Sequence, residues 1–156
     1  MTEWELYTAE CSRNWLEHMR DLKHDIAKLQ DEVDVARSLA LPQGVDYSRT
    51  KVTTSPTDDQ IPNAVIRLHG LVSDYICELD AYMGELMDAR ERVNMLEDSR
   101  HRAVLTLYYL SGHTWATVAE KLHYSEVHCK ELRTEALPLL YEHVPRQWRP
   151  MIPPAL

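Results

Sequence analysis

The chain has 156 residues with a formal net charge of −8, 44% apolar and 27% charged residues, four glycines and no phenylalanine. That is the composition of an ordinary water-facing globular chain, and it excludes low-complexity, collagen-like and disulfide-scaffold classes. No apolar run approaches the roughly 18 residues of a membrane span, and the acidic start Met1-Thr2-Glu3-Trp4-Glu5 is unlike a signal peptide, so a cytoplasmic location and no membrane partner are expected. Three widely spaced cysteines, Cys11, Cys77 and Cys129, make no disulfide framework; each falls on an apolar helical position and is expected to act as a small hydrophobe.

The acid is unevenly distributed. Residues 1–41 carry −4, residues 42–60 −1 and residues 61–98 −5, whereas residues 99–156 carry +2 and five of the eight histidines. A mildly basic end on an acidic scaffold suits a nucleic-acid-reading module carried by a helical support.

In chain order, the first predicted element is one long helix from about Thr2 to Leu39. Trp15, Met19, Leu22, Ile26, Leu29, Val33 and Ala36 recur at steps of three and four, a heptad seam with no glycine or proline before Pro42. Residues 42–60, from Pro42-Gln43-Gly44 to Asp58-Asp59-Gln60, have no periodicity and read as a connecting loop. A second long helix is predicted from about Ile61 to Glu97. Val65, Leu68, Val72, Tyr75, Leu79, Tyr82, Leu86, Ala89, Val93 and Leu96 alternate steps of three and four along it, with Gly70 and Gly84 off that seam. Two such helices bury their stripes best as an antiparallel helical hairpin, a coiled coil spanning residues 1–98. Apolar surface left over near Trp15, Tyr75 and Tyr82 motivates a homodimer through that hairpin.

The remainder breaks into shorter units. Helices are predicted over Arg100–Leu110, Trp115–Leu122 and Glu126–Leu137, with Pro138 expected to end or kink the last. Residues 141–156 read as a proline-rich tail with Pro145, Pro150, Pro153 and Pro154. The fold class is therefore all-α: a long hairpin followed by a helix-turn-helix over residues 99–140.

The functional signal lies in the run from Thr114 to Leu132. Thr114 and Ser125 can each cap a helix through a hydroxyl accepting from an orphan N–H. Val118, Ala119 and Leu122 form the inner face of the first helix; Cys129, Leu132 and Ala136 form that of the second. At a hundred degrees per residue, Val127, Lys130, Glu131 and Thr134 then point outward, with Glu126, His128 and Arg133 on the flanks. A second helix so placed enters the major groove of double-stranded DNA by its N-terminal part. Lys130 can donate to guanine or phosphate, Glu126 or Glu131 can accept from cytosine N4, and Val127 can touch a thymine methyl. Thr114 and the first amides of its helix suit a phosphate.

Those residues carry a resemblance. Leu105-x-Leu107-x-Tyr109-Leu110-x-Gly112-x-Thr114-Trp115, then Val118-Ala119, Tyr124-Ser125 and Ala136-Leu137, resemble region 4 of bacterial sigma factors. With Thr53-Thr54-Ser55-Pro56, Asp58 and the long heptad helix, residues 19–140 resemble phage-encoded sigma-like regulators related to late-transcription activators of the RinA and ArpU type. The resemblance implies a regulator that reads a promoter element, with RNA polymerase as a partner and Glu126, Val127, Lys130 and Glu131 at the contact positions. The chain departs from that pattern at His123, where glycine is usual in the turn, at Thr117 in place of a capping glutamate, and at Tyr108 in place of arginine. Glu131 and Glu135 are acidic on a helix meant to meet phosphates.

Enzymatic chemistry is not expected: no glycine-rich phosphate loop, CxxC, HExxH or nucleophile motif occurs. No cofactor is expected, and His123, His128 and Cys129 match no standard zinc spacing. His101, His113 and His143 read as surface residues, and Trp115 as a core anchor. The competing reading is a protein-interaction scaffold or a phage packaging adaptor, akin to a small terminase subunit, that works through its acidic coiled coil.

Overall fold

The computed structural model describes residues 1–40 and 60–150; the expected loop, with Thr53–Pro56 and Asp58, and the end of the tail with Pro153 and Pro154, lie outside the described residues. Every regular element among the described residues is helical. The long helices are α1 (Glu3–Ala40) and α2 (Gln60–Asn94). Then come α3 (Ser99–Leu105), a π-helical turn (Thr106–Leu110), α4 (Trp115–Leu122) and α5 (Glu126–Leu140). Two 3₁₀ turns, Tyr141–His143 and Arg146–Trp148, follow. No described helix is long and apolar enough to cross a membrane.

The ends of these elements follow from local chemistry. Thr2 and Glu5 make a reciprocal cap at the start of α1. The Glu5 amide donates to Thr2 Oγ1 (3.2 Å) and the Thr2 amide to Glu5 Oε2 (2.7 Å), which holds the Glu5 carboxyl below its usual range. Asp98 caps α3, its Oδ1 accepting from the Arg100 amide at 2.8 Å while its carboxylate also pairs with the Arg100 guanidinium. The guanidinium and that amide hold the Asp98 carboxyl far below the ordinary aspartate range. A group depressed in the folded state stabilises it above the unfolded pKa and ceases to do so as pH falls. The stability difference between wild type and Asp98→Ala is therefore expected to be full above about pH 4 and to shrink below it. Thermal melts of both proteins across that range check this; a pH-independent difference would contradict it.

The chain divides into two compact units, residues 1–24 with 82–156, and residues 25–81. The first unit holds most of the buried apolar side chains: Trp15, Leu16 and Met19 of α1, Tyr82, Ala89 and Val93 of α2, and much of α3 through α5. Its seam positions follow the heptad expectation. Trp15 and Tyr82, expected to stay wet, are buried within the single chain because this unit wraps them with its own elements. In the second unit the seam residues Leu29, Val33, Ala36, Leu68, Val72, Tyr75 and Leu79 are only half-buried, and Val65 is exposed.

Three expectations need correction. Helix α5, expected to stop at Leu137, runs on to Leu140 with Pro138 inside its last turn. A proline in the last turn forfeits one backbone bond, and the buried Leu137 and Leu140 anchor that turn in compensation. Cys77 is exposed rather than an apolar contact, unlike Cys11 and Cys129. His101 is buried, not a surface residue: its Nε2 lies 3.3 Å from Glu135 Oε2, tying α3 to α5. In the expected tail, residues 141–150 pack on the first unit through buried Val144, a Tyr7 hydroxyl donating to Pro150 O (2.9 Å) and Trp148 against the His18 ring.

A candidate nucleic-acid interface on α4 and α5

Helices α4 and α5 share a small core of Val118, Ala119 and Cys129, against which Leu107, Tyr108, Trp115 and Leu122 pack. Cys129 is fully buried, and burial pushes its thiol above the usual cysteine range, so it stays protonated and acts as a packing group. Helix α5 also packs on α3, its inner face being Cys129, Leu132, Ala136, Leu137 and Leu140.

Three residues, His123-Tyr124-Ser125, turn the chain from α4 into α5. His123 takes the left-handed conformation (φ 58°, ψ 39°), the only non-glycine residue with positive φ among those described. The Tyr124 amide donates to Ala119 O (3.1 Å) and the His123 amide to Glu120 O (3.4 Å), closing the helix end with a Schellman motif. An L side chain in this conformation costs about 1 kcal/mol, so His123→Gly is expected to raise unfolding stability by about 0.5 kcal/mol at most once glycine's greater unfolded-state entropy is deducted. His123→Val should lower it. Chemical denaturation of the two variants checks both signs; stabilisation by valine would contradict the strain reading.

The expected caps are in place. Thr114 Oγ1 accepts from the Thr117 amide (3.3 Å) and lies 3.1 Å from the Thr117 hydroxyl, which stands where a reciprocal glutamate would reach back. Ser125 Oγ accepts from the His128 amide at 3.1 Å. Both hydroxyls are thus committed to their helices, and a phosphate there would share them.

On the outer side of α5, Val127 (67% exposed), Lys130, Glu131, Thr134 and Glu135 line an open depression of about 390 Å³. Glu126 is also exposed; His128 is half-buried, with Nδ1 3.5 Å from Glu131 Oε2 and its ring edge-on to Tyr124. The Thr134 hydroxyl donates to Lys130 O at 2.9 Å. The face therefore presents one apolar residue, one lysine and three carboxylates.

Arg133 sits on the flank of α5, as expected, and turns toward Trp115 of α4. It is half-buried, its guanidinium lies 5.2 Å over the Trp115 ring, and its Nε is buried without a partner. Trp115 stacks on Tyr108 (4.0 Å between centroids, 14° between planes), and the Arg20 guanidinium covers the other face of Tyr108 at 4.1 Å. An Arg–Tyr–Trp–Arg stack thus runs from α1 to α5. Arg20 also donates through Nη1 to Tyr108 O and to His113 O (3.0 Å). The π-turn closes with Ser111 N–H to Thr106 O (2.9 Å) and His113 N–H to Leu107 O (3.1 Å); the next carbonyl, that of Tyr108, falls to Arg20. Gly112 takes a left-handed conformation (φ 73°) that favours glycine, and an added Cβ would come within 3.2 Å of Lys23 Cγ, which would have to shift. Sequence reading missed the Arg20 clamp, because its partners Tyr108 and His113 lie 88 and 93 residues further along the chain.

Among the described residues no group of three or more His, Cys, Asp or Glu side chains could hold a metal ion. No family model, no curated protein and no solved structure matches the chain.

Proposed function

We propose that this protein is a sequence-specific DNA-binding transcription regulator, in which α4 and α5 form a helix-turn-helix and α5 enters the major groove. The observation that carries the reading is the separation of the two faces of α5. Its inner residues are buried while Val127, Lys130, Glu131 and Thr134 stand exposed together on a helix capped at its start by Ser125. Exposed, pre-ordered polar side chains at the start of a helix are what base reading requires. Lys130 donates to guanine or phosphate, Glu126 and Glu131 accept from cytosine N4, Val127 meets a thymine methyl, and Thr114 and Ser125 flank the phosphates. Arg133 acts by holding Trp115 rather than by reaching DNA, and His128 orients Glu131.

Three carboxylates beside one lysine make for weak binding by a lone module. Two copies paired through an antiparallel hairpin of α1 and α2 would double the contacts, and Ile76, Met83 and Met87 leave apolar surface on α2 for such pairing. A holo-complex with RNA polymerase would serve the same end. Selection of duplexes from a random library tests the proposal. Enrichment of a shared sequence of one or two half-sites is expected; failure to enrich any sequence, with and without polymerase, would sink it. The second reading, a protein-interaction scaffold or packaging adaptor, draws on the acidity of the long helices α1 and α2.

A further inference from the structure

The second unit, residues 25–81, carries a surface with its own chemistry. Asp31, Glu32, Val35, Ala36, Leu39 and Leu71 line an open groove of about 430 Å³. Leu39 is 79% exposed and Val35 60% exposed, one turn apart on α1. Two large aliphatic side chains at i and i+4, both facing water, form an apolar edge whose burial by a partner would be favourable. Leu71 lies on the flank of the α2 seam opposite Ile76, so the groove is separate from the apolar surface assigned above to pairing.

The charge around the groove is one-sided. Asp31 and Glu32 line it and Asp34 lies close by in sequence, and none of the three is in an ion pair among the described residues. The described part of this unit holds seven acidic residues (Asp25, Asp31, Glu32, Asp34, Asp74, Glu78, Asp80) against Lys28, Arg37 and Arg67. A second copy seated here in a two-fold pairing would bring the same carboxylates opposite themselves. An apolar floor with an acidic rim instead complements a helix with aliphatic anchors on one side and lysine or arginine beside them.

We infer that the groove between Val35, Leu39 and Leu71 docks a basic amphipathic helix of a partner protein, with Asp31 and Glu32 holding its cations. This inference does not depend on DNA binding by α5. The probe is a synthetic helical peptide of about 18 residues with leucines at heptad seam positions and lysines beside them, against its glutamate counterpart. Titrated onto the 156-residue chain by fluorescence polarisation, the lysine peptide is expected to bind and the glutamate peptide not. Leu39→Ser should weaken binding roughly tenfold, and Asp31→Asn with Glu32→Gln should weaken it several-fold and flatten its salt dependence. All three positions are exposed, so circular dichroism should be unchanged in these variants. No binding, binding that ignores both variants, or equal binding of the glutamate peptide would overturn the inference. So would sedimentation showing a dimer that Leu39→Ser converts to monomer, which would assign the groove to a second copy.

Discussion

Arg20→Met is expected to lower unfolding stability by about 3 kcal/mol. The guanidinium donates to two carbonyls, Tyr108 O and His113 O, at the exit of the π-turn. It also covers the face of Tyr108. A charged hydrogen bond contributes roughly 1.5–3 kcal/mol and a cation–π contact roughly 0.5–2, and the two share one group, so their sum overstates the loss. For a chain of this size the expected fall in Tm is roughly 10 °C. Methionine keeps the volume but leaves both carbonyls unanswered. Arg20→Lys should recover less than half, since an ammonium neither bridges two acceptors in a plane nor stacks on a ring. Differential scanning calorimetry of the three proteins decides it. A Met variant within about 0.5 kcal/mol of wild type, the usual span of surface changes, would show that the clamp is dispensable.

Lys130→Glu is expected to weaken DNA binding by two orders of magnitude or more, the larger effect of the pair of charge changes on the outer face of α5. It removes the one cation there and adds a fourth carboxylate beside Glu126, Glu131 and Glu135. Loss of one good base or phosphate contact costs roughly 1–3 kcal/mol, and the new like charge adds to it. Glu131→Gln should act in the opposite direction on non-specific duplex, raising affinity several-fold, and should relax preference at one base pair. Both side chains are exposed, so folding is expected to be unaffected. Equal binding by wild type and Lys130→Glu would move the DNA contact off this face.

The all-helical class and the individual helices were legible because they rest on repetition. The seams of α1 and α2 run for many turns, and Trp115–Leu122 is bounded by a threonine that can cap and a residue that can turn. The outward set Val127, Lys130, Glu131 and Thr134 followed from the angular step of a helix once Cys129 and Leu132 were placed inside. What sequence could not supply depends on contacts distant along the chain. The Arg20 clamp joins positions nearly ninety residues apart. Arg133 looks like any flanking cation until Trp115 is placed under it. His101 is buried because α5 folds over it, and its partner Glu135 comes from another helix. Thr106–Leu110 form a π-turn rather than a continuation of α3, and Arg20 and Gly112 meet at its exit.

Salt dependence of duplex binding by wild type and Lys130→Glu tests DNA recognition through α5 most directly. Polarisation of a selected duplex, titrated over a range of salt, should give wild-type affinity falling steeply with log salt, with Lys130→Glu weaker throughout and its slope shallower by about one. An affinity that ignores salt, or a Lys130→Glu curve superimposed on wild type, would contradict a DNA-reading role for this helix.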